Sequence, residues 1–189
     1  MDDPEYIQAV CDEIVKLVHA TRGHTAILFT SYRMLRMVYE KVKKRLLDYR
    51  LIQMTRSDKT AIGQFKREKN CAGDVLSSVI IVRLPFPLRS QLMEYKKTQY
   101  DTVREFVQEC AIPQMIIKLR QGAGRLIRTE NDTGVIAILD SRAAKNGPYR
   151  ERVLTALSQY PLTPSIYGVE QFISAVKGTE YLEGGRASA

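Results

Sequence analysis

Between residues 121 and 128 the chain reads Gln-Gly-Ala-Gly-Arg-Leu-Ile-Arg. On a helix, Gln121, Arg125 and Arg128 stand at i, i+4 and i+7, which sets one amide and two guanidiniums in a single row. Leu119, Ala123, Leu126 and Ile127 fall largely on the other side, as a buried face requires. A guanidinium is always charged and planar, with five donors in a fixed fork, so the row suits a grip on a phosphoryl group. Gly122 and Gly124 each cost a helix roughly 1 kcal/mol against Ala. Tolerating both implies that bare backbone is needed there for a close approach. The plain alternative is a surface helix with two solvated arginines.

Three further groups could contact an anion: Thr30, Ser31 and Arg33; Arg83; and Asp140 with Arg142. Each follows a short apolar run that reads as a strand. Thr25–Thr30 and Gly134–Asp140 have the look of buried parallel strands, and Ser77–Arg83 is the clearest strand in the chain. Leu84-Pro-Phe-Pro87 ends that last strand, because proline cannot continue a ladder. Ser31 is a good helix N-cap, and capping is compatible with phosphate contact at a helix N-terminus. Asp140 and Arg142 read as a local ion pair or a turn rather than a catalytic pair, and the Leu84–Pro87 stretch as a strand stop and hydrophobic anchor.

The elements that must position these residues alternate. Helices are predicted over 4–21, about 32–47, 58–68, 90–109, 113–128, about 148–158 and 168–177, with a further strand at 50–54. Gly23 is a plausible stop for the first helix. The second carries Met34, Leu35, Val38, Val42 and Leu46 on one face and a basic opposite face, which reads as solvated. Short apolar strands alternating with amphipathic helices imply an α/β fold: an open sheet of mostly parallel strands with helices on both faces. In such sheets ligands gather beyond the C-terminal ends of the strands, where the polar and basic groups above would stand.

The chain has 189 residues, a formal charge of +8 and 44% hydrophobic residues. That composition supports a core in one folded domain, read as 1–183 with a disordered tail at 184–189. The basic balance favours an anionic partner, with nucleic acid first. No apolar run approaches the ~20 residues of a membrane span, and the acidic N-terminus lacks signal character. Cys11, Cys71 and Cys110 are too dispersed for a zinc or iron–sulfur site and fit a reduced, cytoplasmic chain. His19 and His24 flank a helix end and read as surface or capping residues. No Gly-x-x-x-x-Gly-Lys-Ser/Thr loop and no Asp-Glu-x-His box occurs, so the chain lacks the parts that hold a triphosphate and magnesium by themselves.

Taken in order, these motifs resemble a known family. Gln121-x-x-Gly124-Arg125-x-x-Arg128, followed by Asp132-x-Gly134 and the strand ending in Asp140-x-Arg142, is similar to motif six of DinG/XPD-type superfamily two DNA helicases. Ile27–Tyr32 resembles their motif four, and Leu76–Pro87 the strand and turn after motif five. The resemblance covers about residues 5–160 and implies the second RecA-like domain of such a motor, a three-layer fold related to phosphate-loop NTPases but without the phosphate loop. It further implies that Arg125 and Arg128 are arginine fingers toward ATP and that Gln121 orients water or a phosphate oxygen. Gly124 would then complete the nucleotide-binding row. Thr30, Ser31 and Arg33 would touch single-stranded DNA. ATP and Mg2+ would be held mainly by a first RecA-like domain, which would also carry any iron–sulfur cluster, and this chain alone would be inactive as an ATPase.

One departure stands out. The family places a strand and loop bearing motif five before the Gly73-Asp74 turn, yet Asn70 runs directly into Cys71. A helix at 58–68 needs such a parallel return, and about 15 residues are missing by this reading. Either residues are omitted there or the chain is truly shortened; a trans peptide would hold the two Cα atoms ~3.8 Å apart. The competing functional reading is a stand-alone basic α/β module that binds nucleic acid without catalysis.

Overall fold

The computed structural model describes residues 3–53, 77–124, 126 and 132–178. The first helix, α1 (Pro4–Ala20), begins where the Asp3 carboxylate accepts the Glu5 N–H at 3.0 Å and proline takes the first turn. Its apolar positions recur at helical spacing, and Ile7, Val10, Cys11, Ile14, Leu17 and Val18 are all buried. It ends in three successive residues with positive φ: Arg22 at 54°, Gly23 at 81° and His24 at 47°. Two of these are not glycine, and the conformation costs about 1–2 kcal/mol at each. The buried Thr21 hydroxyl helps to hold the turn, donating to the Leu17 carbonyl at 2.8 Å.

Among the described residues three parallel strands follow in the order β1 (Thr25–Leu28), β2 (Ser78–Ile81) and β3 (Val135–Ile138). Leu28 pairs with Ile81, and Ile81 with Ile138, so the three C-terminal ends lie side by side. The central strand is wholly buried, and its side chains alternate between two cores. Ile80 and Val82 join α1 and α2 (Tyr32–Lys43) in one cluster. Val79, Ile81 and Leu84 join the other face, which is covered by α5 (Ile112–Ala123) and α6 (Arg150–Ala156). Full burial of each such aliphatic contributes about 1.5–3 kcal/mol. A further helix, α7 (Ile166–Val176), seats Val169 and Ile173 against Ala20 of α1. The result is the expected three-layer α/β sandwich with helices on both faces of a parallel sheet.

Several boundaries differ from the sequence reading. The expected strand at 50–54 does not form over residues 51–53, and Met54 lies outside the described residues. The chain turns tightly after α2, with the Tyr49 N–H on the Leu46 carbonyl at 3.1 Å. Leu46, Tyr49 and Leu51 then reach the core as loop residues, so their burial needs no ladder. The helix expected at 90–109 is two helices. Here α3 (Gln91–Lys97) stops where the Thr98 hydroxyl bonds back to the Tyr95 carbonyl at 2.7 Å, and α4 (Val103–Phe106) restarts on a Thr102 cap.

From Val103 the backbone stays helical to Ala123, through one wide π turn at Val107–Ala111. Pro113 gives the reason: its ring would crowd the carbonyl four residues back in a regular helix. The wide turn also keeps Val107 and Ile112 on the same core face, where five α-helical residues would separate them by about 140°.

The remaining expected elements are present but shorter or shifted: β1 stops at Leu28, β2 at Ile81 and β3 at Ile138, each two residues early, and α2 stops at Lys43, about four residues early. The helix expected at 58–68, the Asn70–Cys71 junction, Cys71 and the tail at 184–189 lie outside the described residues. Cys11 and Cys110 are buried free thiols, and exposed His19 lies edge-on to Tyr49 with ring centroids 5.4 Å apart.

Candidate nucleotide- and nucleic-acid-facing edge

The expected phosphate-gripping row begins on the last turn of α5. Gln121 is exposed there, and Gly124 follows as the exposed C-cap. Regular helix ends at Ala123 rather than at 128, after which the Leu126 N–H closes a tighter turn on the Ala123 carbonyl at 3.0 Å. Two glycines within three residues make continuation costly. Arg125 and Arg128 themselves lie outside the described residues.

The two glycines differ in what they face. Gly122 is buried, and a Cβ there would sit 3.4 Å from Leu28 Cδ1 and 3.6 Å from Ile81 Cδ1. Its neighbours are therefore side chains of the sheet at ordinary contact distance, where α5 crosses the ends of β1 and β2. Gly124 has an ordinary helical φ of −66°, and a Cβ there would meet only helix backbone, the nearest atom being the Arg120 carbonyl oxygen at 3.3 Å. Nothing else in the described fold presses on it. Arg120 anchors this end of the helix, its Nε donating to the Ala156 carbonyl of α6 at 3.1 Å.

The strand-end residues share one edge. Thr30 is half-buried, while Ser31 and Arg33 are exposed at the entry to α2. Ser31 is the N-cap, its Oγ accepting the Met34 N–H at 3.2 Å. Beyond β2, the Arg83 guanidinium lies over the Tyr6 ring at 4.8 Å, and the Tyr6 hydroxyl donates to the Val82 carbonyl at 3.1 Å. Thus α1 fixes the end of the central strand.

Beyond β3, the expected ion pair between Asp140 and Arg142 is formed, at 2.7 Å between Nη2 and Oδ2. Sequence reasoning missed the rest of its surroundings. The Asp140 carboxylate also accepts the backbone N–H of Leu84 at 2.8 Å, tying the turn after β2 to the loop after β3. Burial pushes the Asp140 carboxyl up, but the Arg142 side chain and the two backbone N–H groups outweigh it and hold the group below the usual carboxylate range. The hydrogen bond to Asp140 in turn raises Arg142, against a smaller opposing effect of burial. Leu84 is buried, and Phe86 packs on Tyr149 with centroids 5.1 Å apart, so the Leu84–Pro87 stretch does anchor the sheet. The aspartate alone carried a signal, through its i, i+2 spacing to arginine; its partner across 56 residues did not.

No helix among the described residues is long and apolar enough to cross a membrane. Among those residues no group of three or more His, Cys, Asp or Glu is placed to hold a metal ion.

A helicase C-terminal domain family matches residues 60–160, a span that holds β2, β3 and the whole 121–128 row. The chain is 28% identical over 177 residues to the 3′-5′ exonuclease DinG of Staphylococcus saprophyticus, covering 82% of this chain and 19% of that protein. It is 32% identical over 180 residues to the ATP-dependent DNA helicase YoaA of Haemophilus influenzae, covering 85% of this chain and 27% of that one. The YoaA of Escherichia coli is 30% identical over 177 residues, with 84% and 27% covered. The chain thus spans between 19% and 27% of the length of these curated relatives.

Proposed function

The chain belongs to the helicase C-terminal domain family, in its DinG-like form, and from that membership we propose that it is the ATP-closing second half of a DNA helicase motor. The observation that carries this reading is the exposed end of α5. Gln121 and Gly124 stand exposed there, inside the matched span, and a Cβ at 124 would meet only the helix's own backbone, 3.3 Å from the Arg120 carbonyl oxygen.

In this reading residues 1–183 form one RecA-like domain in the cytoplasm, and 184–189 a tail. ATP and Mg2+ are held mainly by a first RecA-like domain, the companion of this one. The present chain brings Arg125 and Arg128 to the β/γ-phosphates, where they stabilise charge on the transferring phosphoryl group. Gln121 orients the attacking water or a phosphate oxygen, and Gly124 lets the nucleotide approach backbone. Thr30, Ser31 and Arg33 hold the backbone of single-stranded DNA, using the start of α2 as a donor-rich surface. Opening and closing of the two domains then advances the strand.

A direct test compares two proteins. The chain alone should neither turn over ATP nor be stabilised by it in a thermal melt. Fused to the proposed first RecA-like domain, with motif five supplied, it should hydrolyse ATP when single-stranded DNA is added. Hydrolysis by the chain alone would contradict the division of labour. The exposed basic residues of α2 (Arg33, Arg36, Lys41 and Lys43) favour a second reading, a stand-alone nucleic-acid module. That module would bind DNA in a salt-sensitive way, unaffected by loss of Arg125 and Arg128.

A further inference from the structure

Asp140 engages Arg142 along a single edge of the guanidinium. Nε donates to Oδ1 at 2.9 Å and Nη2 to Oδ2 at 2.7 Å. The rest of the carboxylate is committed to the N–H groups of Leu84 and Arg142, at 2.8 Å and 3.0 Å. One face of the guanidinium is covered by the Phe86 ring, 4.9 Å away, which is itself backed by Tyr149. The Arg142 backbone is clamped as well. Its carbonyl accepts the Tyr149 N–H at 2.9 Å, and Gly147 passes so close that a Cβ would stand 2.2 Å from the carbonyl oxygen.

For all this support, the Arg142 side chain remains 43% exposed. A pair so open to water adds little stability through charge alone. What the arrangement achieves is orientation. With Nε and one Nη2 hydrogen taken, the outer fork of Nη1 and Nη2 points away from the carboxylate, and Nη1 has no hydrogen-bond partner among the described residues. That fork matches two oxygens of a phosphate group. It stands on the C-terminal edge of a parallel sheet, beside the strand end that carries Arg83, in a chain of net charge +8.

We propose that Arg142 is a phosphate-binding residue on the C-terminal edge of the sheet, with Asp140 and Phe86 as the positioning residues that aim its free fork. The inference rests on the motor-domain reading only for the bearer of that phosphate, which is either a nucleic-acid backbone or a nucleotide.

The test uses the 189-residue chain with two fluorescent probes, an oligothymidylate and an ATP analogue, each followed by anisotropy. Arg142→Lys keeps the charge and removes the fork. It should weaken one of the probes about tenfold or more while the melting temperature is unchanged. Arg142→Gln should also lower the salt slope of oligothymidylate binding by about 0.7 if that probe is the one affected. Asp140→Asn should weaken the same probe, and adding it to Arg142→Lys should cause no further loss. A merely structural Asp140 would weaken binding in both backgrounds. Should Asp140→Asn fail to fold, Arg142→Lys still decides. Loss for the oligonucleotide places the fork on DNA, and loss for the ATP analogue places it on the nucleotide. If only the analogue binds, and binds through Arg142, the inference stands while the proposed DNA contact and the expectation that the chain alone takes no ATP both fall. Equal binding of both probes by wild type and Arg142→Lys, or binding of neither by wild type, overturns it.

Discussion

Asp140 is 5% exposed and yet is held in its charged form, because four donated hydrogen bonds converge on it. Removing that charge should be costly. The cost comes through the buried hydrogen bonds rather than the open charge pair: Asp140→Asn sets a donor where the Leu84 or Arg142 N–H needs an acceptor, about 1–3 kcal/mol at neutral pH. Thermal melts of the two proteins measure it. The sign of the pH dependence follows from the lowered carboxyl. Its stabilising effect is complete above the unfolded-state value of about 3.9 and is lost as pH falls through the lower folded value. The gap between wild type and Asp140→Asn should therefore be constant from pH 7 to 5 and shrink below about pH 4. A gap that widens in acid would contradict the assignment. The two glycines of α5 give a second contrast at this scale. Gly122→Ala meets ordinary contacts at 3.4 Å and 3.6 Å and should stabilise by about 0.5–1 kcal/mol. Gly124→Ala should melt within a few degrees of wild type but lower ATP turnover in the fused motor; normal turnover would remove the need for bare backbone at the nucleotide.

At the scale of elements, the strand-to-helix junction at Ser31 does two things at once. It caps α2 through the Met34 N–H, so Ser31→Ala should cost about 1 kcal/mol in a urea or thermal unfolding curve. If Ser31 also holds a DNA phosphate, the same variant should weaken single-strand binding, while an Asp at this position would preserve the cap and repel the phosphate. The junction was legible beforehand because a cap and an apolar run are local signals. So were α1, the three parallel strands and the two-sided core, all of which follow from periodicity. The break between α3 and α4 was not, because Thr98 and Thr102 act by side-chain bonds to neighbouring backbone, which periodicity does not register. Nor was the loop at residues 51–53, whose apolar side chains fill the core without pairing. The wide turn at Val107–Ala111 had one readable cue, Pro113, whose effect extends back into the preceding turn. The candidate site divides the same way. The spacing of Gln121, Arg125 and Arg128 is a sequence signal whose two arginines lie outside the described residues, whereas the link from Asp140 to Leu84 exists only because β2 and β3 lie side by side.

At the scale of the molecule, the described residues form a layered α/β fold in which Thr30, Ser31, Arg83, Asp140 and Arg142 follow the C-terminal ends of parallel strands, and in the proposed motor the phosphate-gripping row stands at the exposed end of α5, which crosses the ends of β1 and β2. Neither feature makes a motor alone, and so the account hinges on what α5 does when a nucleotide-bearing partner closes on it. The most direct measurement is DNA-stimulated ATP hydrolysis by the chain fused to a phosphate-loop domain, with Arg128 intact and with Arg128→Ala. Hydrolysis should fall by about a thousandfold or more with an unchanged melting temperature, as expected when an arginine finger is lost. Turnover within a few-fold of the unmodified fusion would contradict the central claim.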